Sequence, residues 1–541
     1  MSSVVYQMPF SAIFSLFSQP NRWTDLWHSV PDIDLTDDQD VQQTDAIELD
    51  DQSTLFRFNE FVYSVLFKLD SIKSFWLKVG YNGSDLAYLG FPSVVKWLNH
   101  VVKRGVERIL LTLFSGVDMK LPVSILNCKT LVELHLFSFN VKENSSSLTL
   151  EEMSSTGDDR RDVISDLPDR VICHIISFLP TEQAVATSVL SKRWTHLWLS
   201  VPTLRLDVDL KHREALFCFN EFVYSVLLAR DSVKYKSCIM DIWYHNDDLS
   251  HIGFRNFIKW INHVVQRGVE HLEISTNMHD DHPFKFPISI LTCKTLVHLD
   301  FYKFIVKDFS SITLPSLKIL HFEETNFLNY QDLILLLAGC PNLENLRATF
   351  LEFHSEDSLT YQELQSLSLN KLTKAKMWGT YCHFPLKALH NVKLLFIEIN
   401  KVYRGCDEIP TFHNLTTLAL YSINSNWHLL AQVLNHCPNL QNIELSQGTH
   451  NEIIEGVEEN WEDPISVPHC LSLKLQTCSI LKFLGQESEL LLAKHILKNA
   501  RVLQTMKINC GKELKTYREL LLCPRASPIC EVVIDCKRGS M

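Results

Sequence analysis

"LVHLDFYKF", residues 296–304, decides the fold of most of this chain. Leu296, Leu299 and Phe301 stand at L-x-x-L-x-L spacing, and the apolar Leu299 and Phe301 alternate with polar His298 and Asp300. Alternation at period two is the signature of a strand with one buried face. The pattern returns as "LKILHFEETNF" (317), "LENLRATF" (343), "LQSLSL" (364), "VKLLFIEI" (392), "LTTLAL" (415) and "LQNIEL" (440), with starts 21 to 28 residues apart. "NYQDLILLLAGCPN" (329–342) and "NWHLLAQVLNHCPN" (426–439) read as helical returns, each ending in Cys-Pro-Asn. Proline stops the helix before the next strand. One such unit cannot bury its own apolar face, so the units are expected to stack into a leucine-rich solenoid. Seven near-periodic units argue against a mixed α/β domain whose strands merely happen to be evenly spaced.

Upstream, the chain repeats itself on a longer scale. "FNEFVYSVL" occurs unchanged at 58–66 and 219–227, "KWLNHVVKRGVE" (96–107) returns as "KWINHVVQRGVE" (259–270), and "NRWTDLW" (21–27) as "KRWTHLW" (192–198). "SILNCKTLVELHLFSF" (124–139) returns as "SILTCKTLVHLDFYKF" (289–304). The offset falls from 171 to 161 just after the first Trp stretch, around "DIDLTDDQDVQQTDAIELDD" (32–51). That segment holds nine carboxylates and no Lys or Arg, and reads as a solvated loop.

Between the copies lies "VISDLPDRVICHIISFLPTEQAVATSVLSKRWTHLWLS" (163–200). Asp166 is placed to cap a helix near Pro168, a residue tolerated in a first turn. Val171, Ile172, Ile175, Ile176 and Leu179 follow at helical spacing until Pro180. Thr181 opens a second short helix. Ser191 is placed to cap a third, in which Trp194, Leu197 and Trp198 share a face. Three short helices carry more apolar surface than they can hide from water internally, which makes the segment a helical interaction module.

This segment resembles the F-box of plant-type F-box/leucine-rich-repeat proteins in its LPD opening, its SFLP middle and its VLSKRW end. "VPHCLSLKLQTCSILKFLGQESELLLAKHILKNARVLQTMKI" (467–508) and "RELLLCPRASPICEVVI" (518–534) resemble the FBD module that commonly closes such proteins. The resemblance implies an α/β chain with a short three-helix F-box (163–205), leucine-rich repeats (206–465) and a C-terminal α/β FBD module (466–541). A polar linker (151–162) precedes them. Residues 1–150 look like a truncated F-box remnant with a partial repeat copy, because "MSSVVYQMPFSAIFSLFSQP" has neither the LPD start nor the SFLP turn. In this reading Trp23 and Trp27 pack locally, and the FBD module covers the open end of the solenoid.

By the same resemblance the F-box binds a Skp-type adaptor of a cullin–RING ubiquitin ligase while the solenoid binds a protein substrate. Leu167, Pro168, Ile175, Ile176, Leu179, Val189, Leu190 and Trp194 are then candidates for the adaptor interface or for the core that supports it. A leucine-rich interaction scaffold without ligase association is the competing reading.

Composition narrows the alternatives. The chain has 541 residues, 46% hydrophobic, and a formal charge of −12 without a dense Lys/Arg stripe, which argues against nucleic acid as partner. No run of 18 uninterrupted apolar residues suggests a membrane span, so the cytoplasm and/or nucleus is the expected location. Fifteen cysteines stand singly in apolar runs with no C-x-x-C pair, as expected of buried free thiols. "HNDDLSH" (245–251) and "MHDDHPF" (278–284) invite a metal reading, but as polar stretches between apolar segments they read as solvated loops. No cofactor, metal or catalytic residue is expected: a ligase subunit of this kind acts by proximity.

Overall fold

The computed structural model describes residues 32–35, 47–49, 51–67, 69, 71–114, 122–126, 128–137, 167–231, 233–277, 284–307, 311–354, 367–379, 384–398, 409–423, 427–446, 467–510 and 517–536. Trp23, Trp27 and Asp166 lie outside them, as do residues 278–283 of "MHDDHPF".

The first copy is strand and helix in alternation: β1 (Asp32–Leu35), β2 (Ile47–Leu49), α1 (Gln52–Leu66), β3 (Ser74–Tyr81), α2 (Ser84–Lys103), β4 (Arg108–Phe114) and β5 (Glu133–Phe137). These strands form a parallel sheet in the order β1-β3-β4-β5, with β2 also on β3. After three short helical turns, the second copy supplies β6 (Thr203–Leu210), α3 (Arg213–Ala229), β7 (Ser237–Tyr244), α4 (Asp247–Gln266), β8 (His271–Asn277) and β9 (His298–Tyr302).

Comparing the copies corrects the reading of the acidic stretch as one loop. Asp32 lies opposite Ser74 and Ile47 opposite Val79, so β1 and β2 are two pieces of a single strand position on β3. In the second copy β6 fills the equivalent position on β7 without a break, from Thr203 opposite Ser237 to Leu210 opposite Tyr244. The extra residues of copy one therefore enter in mid-strand, and backbone pairing on both sides of them preserves the register.

"HNDDLSH" is likewise not a loop. Asn246 caps α4, its side chain accepting from the Leu249 N–H at 2.9 Å. Asp247 and Asp248 then occupy the first turn, where carboxylates complement the helix dipole. Both copies place a glycine where helix meets strand. A Cβ on Gly90 would stand 2.4 Å from the Tyr81 ring, and one on Gly253 2.3 Å from the Tyr244 ring.

The copies pack on each other through equivalent helices. α1 buries Leu55, Phe58, Asn59, Val62, Tyr63 and Leu66, a helical stripe. Tyr63 stacks on its counterpart Tyr224 at 5.0 Å with rings 1° from parallel, and Phe56 on Phe217 at 4.2 Å. Lys96 pairs with Glu221 at 2.9 Å, and the corresponding Lys259 pairs with Glu60 at 2.6 Å. Arg104 and Arg267 both engage Asp231. The two ring stacks join residues to their own counterparts and the two Lys–Glu pairs are reciprocal, the arrangement of an isologous dimer within one chain. Nearby His100 and His263 are buried, and desolvation brings both imidazoles down to about 4.

From β6 onward one parallel sheet runs to the end of the described chain. After β9 come β10 (Ile319–Glu323), β11 (Asn345–Thr349), β12 (Lys374–Trp378), β13 (Leu394–Ile397), β14 (Thr417–Leu420), β15 (Asn442–Ser446), β16 (Thr477–Leu481), β17 (Thr505–Cys510) and β18 (Glu531–Cys536). Each pairs with the next in sequence, giving a 13-stranded sheet. Rows of apolar side chains cross it; near its middle Leu299 lies opposite Leu272 and Leu320, and Ile274, Phe301, Phe322, Ala348, Met377 and Ile397 lie opposite one another in turn. Helices such as Tyr330–Ala338, capped by Asn329, return the chain over this face.

One expectation changes here. The fourth predicted unit does not supply its strand from "LQSLSL": residues 364–366 lie outside the described ones, and Leu367 and Leu369 are buried in a non-strand segment. The strand is Lys374–Trp378, which carries the repeat as Leu372, Ala375 and Met377, and weak β-formers hide the pattern. The FBD region covers the end of the repeats by extending their sheet. Its strands continue the ladder, with Asn442 of β15 opposite Thr477 of β16. The twelve cysteines whose side chains are described are free thiols, and burial pushes Cys340 and Cys478 up to about 12.

Glu221 is the polar centre of the contact between copies. It accepts from the Tyr63 hydroxyl at 2.7 Å, the Ser93 hydroxyl at 2.8 Å and Lys96 at 2.9 Å. Glu221→Ala leaves the buried Tyr63 hydroxyl unsatisfied and is expected to cost about 2–4 kcal/mol. Glu60→Ala, which removes one half-exposed ion pair, should cost about 1 kcal/mol or less. Denaturant unfolding of the two variants checks this, and equal losses would show that Glu221 holds no special place.

Candidate functional site

The first of the three helical turns between the copies, α5 (Asp169–Ile176), is preceded by Pro168, which makes no side-chain cap bond. The second, α6 (Thr181–Ala186), continues into a 3-10 turn at Thr187–Val189. The third, Trp194–Ser200, is a 3-10 helix. Ser191 does not cap it by its side chain; its carbonyl accepts from the Trp194 N–H at 3.0 Å and the Thr195 hydroxyl at 3.3 Å.

Ile172, Ile176, Ala184 and Val201 form a small core of their own, with Leu167, Leu179, Trp194, Leu197 and Trp198 packed against it. This sorts the predicted residues. Ile176, 1% exposed, supports the module from inside. Leu167, Leu179 and Trp194 are half-buried against that core. Pro168 and Ile175 are exposed, as are Val189 at 85% and Leu190 at 66%.

The structure adds two residues to the exposed set. Val171 and Ile175 on α5 and Phe178 in the turn just after it follow one another at i, i+4 and i+7, turned away from the buried Ile172 and Ile176, with Phe178 67% exposed. The apolar spacing around α5 runs over two faces at once, which is why periodicity alone could not separate support from surface. Phe178 was legible in the SFLP motif but carried no positional cue.

Polar contacts set the module's geometry. Arg193 reaches back to Asp169 at 2.6 Å and donates to the Leu167 carbonyl, tying the end of the module to its start. The Thr181 hydroxyl, buried, accepts from the Arg205 N–H of β6 at 2.8 Å. Trp198 packs against both the small core and the long core of the sheet. The module is thereby seated on the first strand of the ladder.

The polar face of the sheet offers a second surface. Arg205, Asp207, Asp241, Glu273, Asp300 and Tyr302 line a cleft of about 270 Å³. Burial and then Asp300 raise the Glu273 carboxyl, against a smaller lowering by Arg205. Further along, Phe350, Trp378 and Tyr421 form a run with ring separations of 5.2 and 6.0 Å, and Lys376 lies over Trp378. None of these residues could be nominated from sequence, because the ladder brings them together across separate repeats.

A three-helix module with an exposed apolar stripe, mounted on a leucine-rich parallel ladder, defines the F-box/leucine-rich-repeat class. Family comparison agrees segment by segment. The F-box domain profile matches residues 164–206, the profile for the leucine-rich repeats of FBD-associated F-box protein At5g56370 matches 257–383, and the FBD profile matches 462–508.

F-box/FBD/LRR-repeat protein At4g26340 of Arabidopsis thaliana is 29% identical over 428 residues, covering 69% of this chain and 100% of the relative. F-box/FBD/LRR-repeat protein At4g00160 is also 29% identical, over 69% of this chain and 94% of its own length. F-box/LRR-repeat protein At4g14096 of the same plant is 30% identical over 52% of this chain and 72% of the relative. The chain belongs to the plant F-box/FBD/LRR-repeat family.

Support and surface are separable by mutation. Ile176→Ala should destabilise the module by about 2–5 kcal/mol. Phe178→Ser, on the open stripe, should change stability by about 0.5 kcal/mol or less. Hydrogen exchange at α5 amides distinguishes them; equal acceleration in both variants would contradict the assignment of faces.

Proposed function

We propose that this protein is the substrate-recognition subunit of an SCF-type ubiquitin ligase. Its F-box docks on a Skp-type adaptor through Pro168, Val171, Ile175, Phe178, Val189 and Leu190. The observation that carries the reading is the exposed apolar stripe on a module already fixed at its opposite face. A small soluble module that exposes so many large apolar side chains together presents a protein-binding surface. F-box proteins usually serve as ubiquitin-ligase subunits, which agrees with that reading.

In this role the chain needs no catalytic group of its own. Holding adaptor and substrate on one rigid ladder raises the local concentration of the substrate lysine. The polar sheet face, with Trp378, Phe350 and Tyr421 as anchors, is where a protein substrate would bind. A cytoplasmic or nuclear location suits both partners; among the described residues no helix is long and apolar enough to cross a membrane.

Co-purification tests the reading. The wild-type chain should retain a Skp-type adaptor, whereas Ile175→Ser/Phe178→Ser/Leu190→Ser should lose it with unchanged circular dichroism and melting temperature. Equal adaptor recovery by both folded proteins, or by neither, favours the scaffold reading without ligase association.

A further inference from the structure

On the polar face of the ladder, register brings together three side chains that sequence keeps apart. His298 and Asp300 are two residues apart on β9 and so share a face, while β10 sets His321 directly opposite Asp300. One nitrogen from each imidazole and one carboxylate oxygen all lie within 4.8 Å of one another. His321 Nδ1 is 3.3 Å from Asp300 Oδ2, and the rings of His298 and His321 are 5.5 Å apart. His298 Nε2 is buried and has no hydrogen-bond partner. All three side chains are half-buried, held by strands rather than by a loop.

We propose that His298, Asp300 and His321 form a site for a divalent late first-row metal ion, with Zn²⁺ the cation it suits best. Two imidazoles and one carboxylate are a borderline-soft donor set that favours zinc over magnesium or calcium, which prefer oxygen ligands alone. Three protein ligands leave a coordination position open. Closing three ligand atoms around one ion needs only side-chain adjustment, since Zn–N and Zn–O distances of about 2.0–2.2 Å place ligands roughly 3.3 Å apart. The ion satisfies the buried His298 nitrogen, and it links adjacent repeats across the β9–β10 pairing. Asp300 also lines the acidic cleft, so the metal sits at the cleft wall, where an electron-pair donor from a bound partner can complete its coordination.

Sequence could not show this site because no local motif contains it: 21 residues separate Asp300 from His321. The expectation of no metal rested on the absence of clustered ligands along the chain, and the ladder supplies the clustering instead.

The full-length chain, freed of metal by chelation, should be titrated with Zn²⁺ alone and compared with His298→Ala/His321→Ala. The wild type should bind one equivalent more than the double variant, and its melting temperature should rise with zinc where the variant's does not. Co²⁺ in the wild type should give tetrahedral ligand-field bands at this site without thiolate charge transfer, which separates it from the free cysteines. Asp300→Asn, which keeps the side-chain volume, should weaken binding by about 10-fold or more, since even outer-shell changes cost that much at metal sites. Matching stoichiometry and spectra in wild type and double variant overturn the proposal. Should the double variant lose its circular dichroism, Asp300→Asn decides: unchanged zinc affinity in that variant overturns the proposal equally.

Discussion

The strand-to-strand pairing that starts at β6 and does not stop until β18 is the constraint on which everything else rests. Each repeat alone would leave an apolar row against water and a row of backbone groups unpaired. Stacking in a constant register satisfies both at once. It turns period-two alternation in each strand into two continuous faces, one apolar and covered by helices, one polar and open. The F-box gains its fixed orientation by being anchored to the first strand of that ladder through Thr181 and Trp198. Register likewise places Asp300 against His321 and Phe350 near Trp378.

The repeats were legible because leucine spacing encodes both burial and period. Where the spacing was filled by Ala375 and Met377, the strand was displaced to the more obvious "LQSLSL", since volume and pleat matter to the core while leucine identity matters only to the eye. The acidic insertion of copy one was legible as an insertion but not as a break in mid-strand. Charge reports solvation, and only pairing to β3 reports that both flanks are strand. The F-box was legible as a module, yet its eight nominated residues mixed core with surface. An eight-residue helix surrounded by apolar positions gives no gradient from which to choose a face.

The first copy is packed into the same structure as the second. Tyr63, Glu60 and Lys96 of the first copy match Tyr224, Glu221 and Lys259 of the second. Here these residues form a reciprocal contact, and Tyr63 and Phe58 belong to the same continuous core as the solenoid. The duplicated helices act as a self-complementary pair, so one copy covers a face that the other would leave exposed. The FBD region is built in likewise: its strands are further rungs of one ladder.

The account stands or falls on whether α5 and the following turn are the surface that a ligase adaptor covers. Hydrogen–deuterium exchange of the full-length chain, alone and with a purified Skp-type adaptor, reads this directly. The account predicts new protection confined to residues 168–178 and 187–191, with the exchange of β9 to β15 unaltered. Protection absent from those segments, or appearing on the polar face of the ladder instead, would contradict it.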